Sequence, residues 1–375
     1  MTKFKRVLFW IHFVAGVTGG IVIFIMCVTG VLLAFERNFI ELADGKVRQI
    51  SEHSGKYAPP SQIINAAMDF YGTGAKPTGL VAYLEPGLAW QVNFGRKDIV
   101  YVNPITATVT GTGNHDIRAA MEFLRELHRY LALSGEARSV GKAITGASNL
   151  LFVVLCFTGL IIWTPRIREW RRIRPKLWFR TTHSCQARDF NWHNTIGFWS
   201  SLILIVITIT ATVISYKWAA DLLTIVTGGK VRPALSEQNR QQQPSEIAIS
   251  DESPDRAMEQ SIKFVPYAKS ISLRLPVSKS AEFTVDEGIY LNRFGRSNLV
   301  VSTEDGSVIK WEPYGESEIS RQVRSWFRFL HTGEIAGLPG QILGAVASFG
   351  GAVLVWTGFG MAYRRLRNMR RSKVR

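Results

Sequence analysis

Four of the seven histidines in this chain of 375 residues stand at matched places. His12 and His193 each follow an aromatic-rich entry, with a glycine four residues on (Gly16, Gly197) and a threonine seventeen on (Thr29, Thr210). His128 and His331 close two similar segments, Phe123-Leu124-Arg125-Glu126-Leu127-His128 and Trp326-Phe327-Arg328-Phe329-Leu330-His331. Further on, Thr158-Gly159-Leu160 is matched by Thr357-Gly358-Phe359. One histidine beside an apolar run is ordinarily an interfacial side chain bonded to a backbone carbonyl. Four in register point to a shared chemistry, and imidazole can relay protons, bind a metal or ligate a redox cofactor. No Asp or Glu accompanies them within the apolar stretches, which weakens a proton pump and zinc or iron-carboxylate sites. Two histidines facing each other across a bundle are what a six-coordinate haem needs. Gly16 and Gly197 share a helix face with their histidines and leave room for a flat macrocycle, or they simply let helices pack closely.

Such pairs need long helices to hold them. Val7 to Phe35, Ala143 to Pro165, Phe190 to Tyr216 and Ile335 to Tyr363 contain no Asp, Glu, Lys or Arg, and a bilayer is crossed in about 20 helical residues. The net charge of +16 lies beside them. The segments 1–6, 164–189 and 364–375 carry three, eight and seven basic residues against two acidic ones, so the remaining chain is neutral. That asymmetry predicts both termini and the basic loop in the cytoplasm, and it excludes a nucleic-acid binder, which would carry its charge in a folded domain. The Lys3, Lys5, Arg6 start precedes a run too long for a signal peptide and without a small-x-small cleavage site, so an uncleaved first helix is expected. Cys27 and Cys156 fall inside spans and Cys185 in the basic loop, so no exported disulfide is expected.

The expected fold class is a mainly α membrane protein: four transmembrane helices in two parallel repeats, plus two small α+β exported domains. The boundaries read as a first span at 1–35, an exported domain at 36–115, and an amphipathic helix with the second span at 116–165. A basic loop at 166–189 and a third span at 190–216 follow. A linker and second domain occupy 217–318, an amphipathic helix and fourth span 319–363, and a basic tail 364–375. In the first domain a helix is expected from Pro60 to Tyr71, with strands at Gly79–Leu84, Ala89–Phe94 and Ile99–Val102. In the second, a helix near Asp255 to Val265 precedes strands at Ser270–Leu275, Ala281–Val285, Gly288–Asn292 and Asn298–Thr303, then a turn at Glu304-Asp305-Gly306. Ser236 to Asp255 is polar and reads as a linker. His53, His115 and His183 have no counterparts and read as solvated loop residues.

The span with His-x-x-x-Gly, the Leu-His before the next span, and the segment Tyr101-Val-Asn-Pro-Ile-Thr-Ala-Thr-Val-Thr-Gly111 together resemble the PepSY-associated transmembrane family over nearly the whole chain. Within it the chain is most similar to iron-regulated inner-membrane reductases of ferric siderophores. Asn103 stands where that ending usually has Asp, and the second domain matches only loosely, through Val300 to Lys310. The resemblance implies two b-type haems, two PepSY-like periplasmic domains and a bacterial inner-membrane location. His12 with His193 would be the axial ligands of one haem and His128 with His331 those of the other, with no separate catalytic residue. The chain has no flavin or nicotinamide fingerprint, so a separate cytoplasmic donor or quinol must supply electrons, and a ferric siderophore or other ferric chelate would accept them. The basic loop from Arg166 to Arg188 suits either an acidic donor or lipid phosphate. Arg125, Arg129, Arg324 and Arg328 would pair with haem propionates or form a solvated helix face. The rival reading is a non-catalytic membrane protein whose PepSY-like domains bind or inhibit an exported protease or signalling partner.

Overall fold

The computed structural model describes residues 2–52, 54–72, 74, 76–165, 170–182, 184–229 and 254–373. His53, His183 and all but the end of the expected linker at Ser236–Asp255 lie outside them. Helices α1 (Lys3–Leu33), α2 (Glu36–Arg48) and α3 (Pro60–Tyr71) lead into strands β1 (Gly79–Tyr83), β2 (Trp90–Asn93), β3 (Ile99–Val102) and β4 (Val109–Thr112). Then come α4 (His115–Tyr130), α5 (Ala137–Trp163), α6 (Trp170–Leu177), α7 (Cys185–Ser215), α8 (Lys217–Val226) and α9 (Asp255–Phe264). Strands β5 (Ser270–Arg274), β6 (Ser280–Asp286), β7 (Ser297–Ser302) and β8 (Val308–Glu312) precede α10 (Ile319–His331) and α11 (Gly337–Lys373). The chain divides into two units: Met1–Glu36, Met121–Leu222 and Phe327–Arg375 form one, Arg37–Ala120 and Leu223–Trp326 the other.

The first unit is a bundle. Its four long helices, α1, α5, α7 and α11, are each long and apolar enough to cross a membrane. α1 and α7 pack chiefly against α5 and α11, so the two lie diagonally across a ring of four. Large apolar side chains such as Ile21, Leu202, Val346 and Trp356 are exposed on the outside. A helix that is apolar on its outward face as well as its inward one belongs in lipid rather than water. The chain is therefore a multi-pass membrane protein. The helices outrun the charge-free stretches. The Thr2 hydroxyl accepts from the Lys5 amide at 3.2 Å to start α1, the Ser184 hydroxyl does the same for Ala187 in α7, and α11 continues into the basic tail. Lysine and arginine are good helix formers, so charge marks the apolar limit of a helix and not its end. Polar ties cross the interior: the Asn149 amide donates to the Thr208 carbonyl at 3.1 Å and to the Thr212 hydroxyl at 2.9 Å. In the basic loop α6 is fastened to α7, where the Trp199 indole donates to the Leu177 carbonyl at 2.9 Å.

In the second unit the two expected α+β segments share one sheet. All eight strands form one antiparallel sheet in the order β4-β3-β2-β1-β5-β6-β7-β8. Each segment supplies a four-stranded meander, and the meanders join along β1 and β5, where Gly79 faces Arg274 and Tyr83 faces Ser270. Joining them at β1 and β5 covers one edge of each meander, which would otherwise expose unpaired backbone groups. α3 and α9 pack over the sheet on a core that includes Ile63, Leu80, Trp90, Met258, Ile271 and Phe283. Asp255 at the start of α9 accepts from both the amide and the hydroxyl of Ser61 at 2.6 Å, tying the helices together.

Individual elements differ from expectation for local reasons. Gly288–Asn292 is not a strand: the Asp286 carboxylate accepts from the Gly288 amide at 3.1 Å and Gly288 takes φ +72°, which turns the chain. β4 and β8 are strands that alternation did not reveal, because each joins its neighbour through a register shift. The unexpected α2 is anchored by Asp44, whose carboxylate is buried against Arg118 at 2.5 Å and accepts from the Tyr101 hydroxyl at 3.0 Å. His115 opens α4 rather than lying in a loop, and its Nδ1 is 2.8 Å from Asp98.

Candidate functional site

His12 on α1 and His193 on α7 face each other across the bundle, their ring centroids 6.3 Å apart and their planes at 83°. Between them lies a cavity of about 1010 Å³ lined by both histidines, Gly16, Gly197, Gly159, Gly358 and apolar side chains including Phe13, Leu155 and Leu354. An imidazole nitrogen sits about 2 Å from a first-row metal ion. The ring centroid lies roughly 1 Å behind that nitrogen, so two rings sharing one ion stand about 6 Å apart. The observed separation is of that size.

The partners of each imidazole decide which nitrogen is free. His12 Nδ1 is 2.9 Å from the Thr158 hydroxyl, His193 Nδ1 is 3.0 Å from that of Thr357, and His128 Nδ1 is 2.8 Å from that of Thr29. His331 Nδ1 sits 3.3 Å from the Thr210 hydroxyl and 3.0 Å from the Ile207 carbonyl. Each threonine donates its single proton to the carbonyl four residues back in its own helix: Thr158 to Val154 at 2.6 Å, Thr357 to Val353 at 2.8 Å, Thr29 to Ile25 and Thr210 to Val206 at 2.7 Å. The hydroxyl oxygen can then only accept, so Nδ1 carries the hydrogen. All four histidines thereby present an unprotonated Nε2, the tautomer a metal-ligating imidazole needs.

A glycine beside three of these threonines makes space for the ring. A Cβ on Gly159 would lie 3.3 Å from His12 Cε1, one on Gly358 3.5 Å from His193 Cε1, and one on Gly30 3.6 Å from His128 Cε1. Gly16 and Gly197 line the cavity, but a Cβ there would only touch Leu155 or Leu354 at ordinary distance. The Thr-Gly pairs were visible as repeated residues in the sequence; their role was not, because their helix partners lie 146 and 164 residues away.

His128 lies in the last turn of α4 and His331 is the last residue of α10. Their bonds to Thr29 and Thr210, near the ends of α1 and α7, set them at the opposite end of the bundle from His12 and His193, about 25 Å away by helix rise. Both helix ends are seated against glycine. A Cβ on Gly141 would fall 2.0 Å from the Tyr130 carbonyl oxygen, and one on Gly340 2.2 Å from that of Gly333. These carbonyls belong to the second residue after each histidine. After His128 the chain turns through Leu131 and Ala132, both at positive φ, a strained passage for residues with side chains. The neighbouring arginines are occupied: Arg125 pairs with Glu36, Arg129 lies over the Tyr130 ring, and Arg324 donates to the Ser320 carbonyl.

Among the described residues no cluster of three or more His, Cys, Asp or Glu side chains is placed to hold a metal ion. Fold and site together define a multi-pass membrane protein whose four-helix bundle holds His12 facing His193 toward one end, with His128 and His331 bonded near the other. The chain belongs to the PepSY-associated TM region family, whose model matches residues 9–365. No curated protein matches it.

Proposed function

We propose that the chain is a di-haem electron-transfer protein of the bacterial inner membrane, built as two parallel repeats. One b-type haem would be held by His12 and His193 near the cytoplasmic face and another by His128 and His331 near the periplasmic face. The observation that carries this reading is the facing pair His12 and His193, 6.3 Å apart across a largely apolar cavity, each with Nδ1–H engaged and Nε2 free. Two protein ligands cannot complete a zinc or carboxylate-iron site, whereas a macrocycle supplies the other four positions. A haem bound there supplies one-electron iron chemistry. The chain's own residues orient the imidazoles, hold their tautomer and keep water from the iron.

The repeat reading is supported by the equivalent histidine–threonine bonds and by the two meanders meeting at β1 and β5. The charge asymmetry supports cytoplasmic termini and a periplasmic sheet unit, in which the meanders would be PepSY-like halves. Electrons would come from a cytoplasmic donor or quinol and leave to a ferric siderophore or other ferric chelate, making the protein a b-type haem oxidoreductase embedded in lipid. The test is the visible spectrum of the detergent-purified protein. About two haems per chain with a low-spin six-coordinate spectrum is expected; a colourless preparation from haem-replete cells would overturn the reading and favour a partner-binding role for the sheet unit.

A further inference from the structure

The cavity between His12 and His193 has a polar margin that the paired histidines leave unused. Trp163, the last residue of α5, lines it with its ring stacked on Phe198 at 4.3 Å between centroids. The Lys176 ammonium donates to the Trp163 carbonyl at 3.0 Å, yet the indole Nε1–H is buried without an acceptor. Arg364 on α11 also lines the cavity. One guanidinium nitrogen donates to Asp189 at 2.5 Å, while its Nε–H is buried and unmatched. Arg365, the next lining residue, lies over the rings of Phe9 and Trp10 at 4.7 and 5.3 Å. Only three side-chain atoms among the described residues are buried without a hydrogen-bond partner, and two of them belong to residues that line this one cavity. Buried donors are ordinarily matched, so a pair of orphans at one site asks for an acceptor from a ligand. Asp189 does not serve: its carboxylate accepts from a terminal nitrogen of Arg364 and from Arg188, and from neither orphan donor.

We propose that Trp163, Arg364 and Arg365 form a carboxylate-binding subsite at this margin, taking the acid groups of a flat ligand whose body lies between His12 and His193. The proposal rests on the haem reading above and adds an orientation: the two propionates point toward Trp163 and Arg364, at the basic end of the bundle. An indole N–H and a guanidinium N–H both donate to carboxylate, and with a cation these bonds are the strong kind.

The experiment titrates the full-length His128→Ala protein in detergent, which isolates the His12–His193 pair, with haem and with haem dimethyl ester, whose acid groups are capped. Haem is expected to bind at least about tenfold more tightly than the diester. Trp163→Phe keeps the stack on Phe198 and removes only the N–H; it and Arg364→Gln should each weaken haem about tenfold and leave the diester unchanged. Equal affinity for both ligands, or equal weakening of both by Trp163→Phe, overturns the subsite. If neither ligand gives a low-spin bis-imidazole band, even in the protein with all four histidines, the haem reading itself falls.

Discussion

Each paired histidine is only as useful as the threonine behind it. The Thr158 hydroxyl is locked by its bond to Val154 and can only accept from His12, and Thr357 treats His193 in the same way. Replacing such an outer partner typically lowers metal affinity 10- to 100-fold. Thr158→Val should therefore weaken haem by at least about tenfold; Thr158→Ser should restore it. A Val at 158 that leaves haem retention and the low-spin spectrum untouched would show the bond to be incidental. The adjacent Gly159→Val should tilt the His12 ring, since even a Cβ would lie 3.3 Å from Cε1. The histidines themselves were legible in the sequence because only seven occur and four repeat in register. Thr158, Thr357, Gly159 and Gly358 were legible only as repeated letters. Their function depends on which helix faces which, and periodicity within one helix carries no information about that.

Helix seating decides where His128 and His331 stand. Gly141 and Gly340 start their spans with no room for a methyl group, because backbone carbonyls of the preceding turns occupy the place. Gly141→Ala or Gly340→Ala must therefore shift the end of α4 or α10, an overpacking cost of about 1–3 kcal/mol. The spectral signal of the His128–His331 pair should be lost or altered while that of His12 and His193 persists. In the sheet unit, Asp44 is 1% exposed and Arg118 6%, so Asp44→Ala leaves a guanidinium buried without its counter-charge. A cost of about 3–5 kcal/mol is expected, read as a lower denaturation midpoint by Trp90 fluorescence. Glu259→Ala, which breaks the exposed Lys263–Glu259 pair, should change it little. The turn between β7 and β8 has its own pH signature: bonds from Ser302 and Ser307 hold the Asp305 carboxyl down to about 2. A depressed carboxyl contributes stability above its ordinary pKa and loses it as pH falls through the folded value. Carboxyl NMR should place that midpoint near 2, and Ser307→Ala should raise it. Spans, α3, α9 and six of the eight strands could be read from apolar patterning and turn residues. The union of two meanders into one sheet could not, since the β1–β5 pairing joins residues 187 to 195 apart whose alternation fits an edge strand equally well.

At the scale of the whole molecule, the proposed function takes its direction from the charge asymmetry and its order from the depth of the histidines. Cys185, the exposed one of three cysteines, begins α7 beside the basic loop; a membrane-impermeant thiol reagent should reach it only from the cytoplasmic side, and a Lys97→Cys probe only from the other. On the proposed reading, electrons would enter at His12 and His193 and leave at His128 and His331, so the four single alanine variants should fail in two distinct ways. His12→Ala or His193→Ala removes the entry station, and the haem signal that remains should stay oxidised when the cytoplasmic donor is added. His128→Ala or His331→Ala removes the exit, and the remaining signal should become reduced by the donor and then resist reoxidation by an external ferric chelate. Within each pair either variant should give nearly the same loss, because a site ligated by two imidazoles becomes five-coordinate or empty when one is gone. The 6.3 Å separation makes the His12–His193 assignment the more exposed to refutation. If stopped-flow spectra and haem content show His12→Ala and His193→Ala depleting different haems, the ligands do not pair across the bundle, and the facing geometry has another purpose.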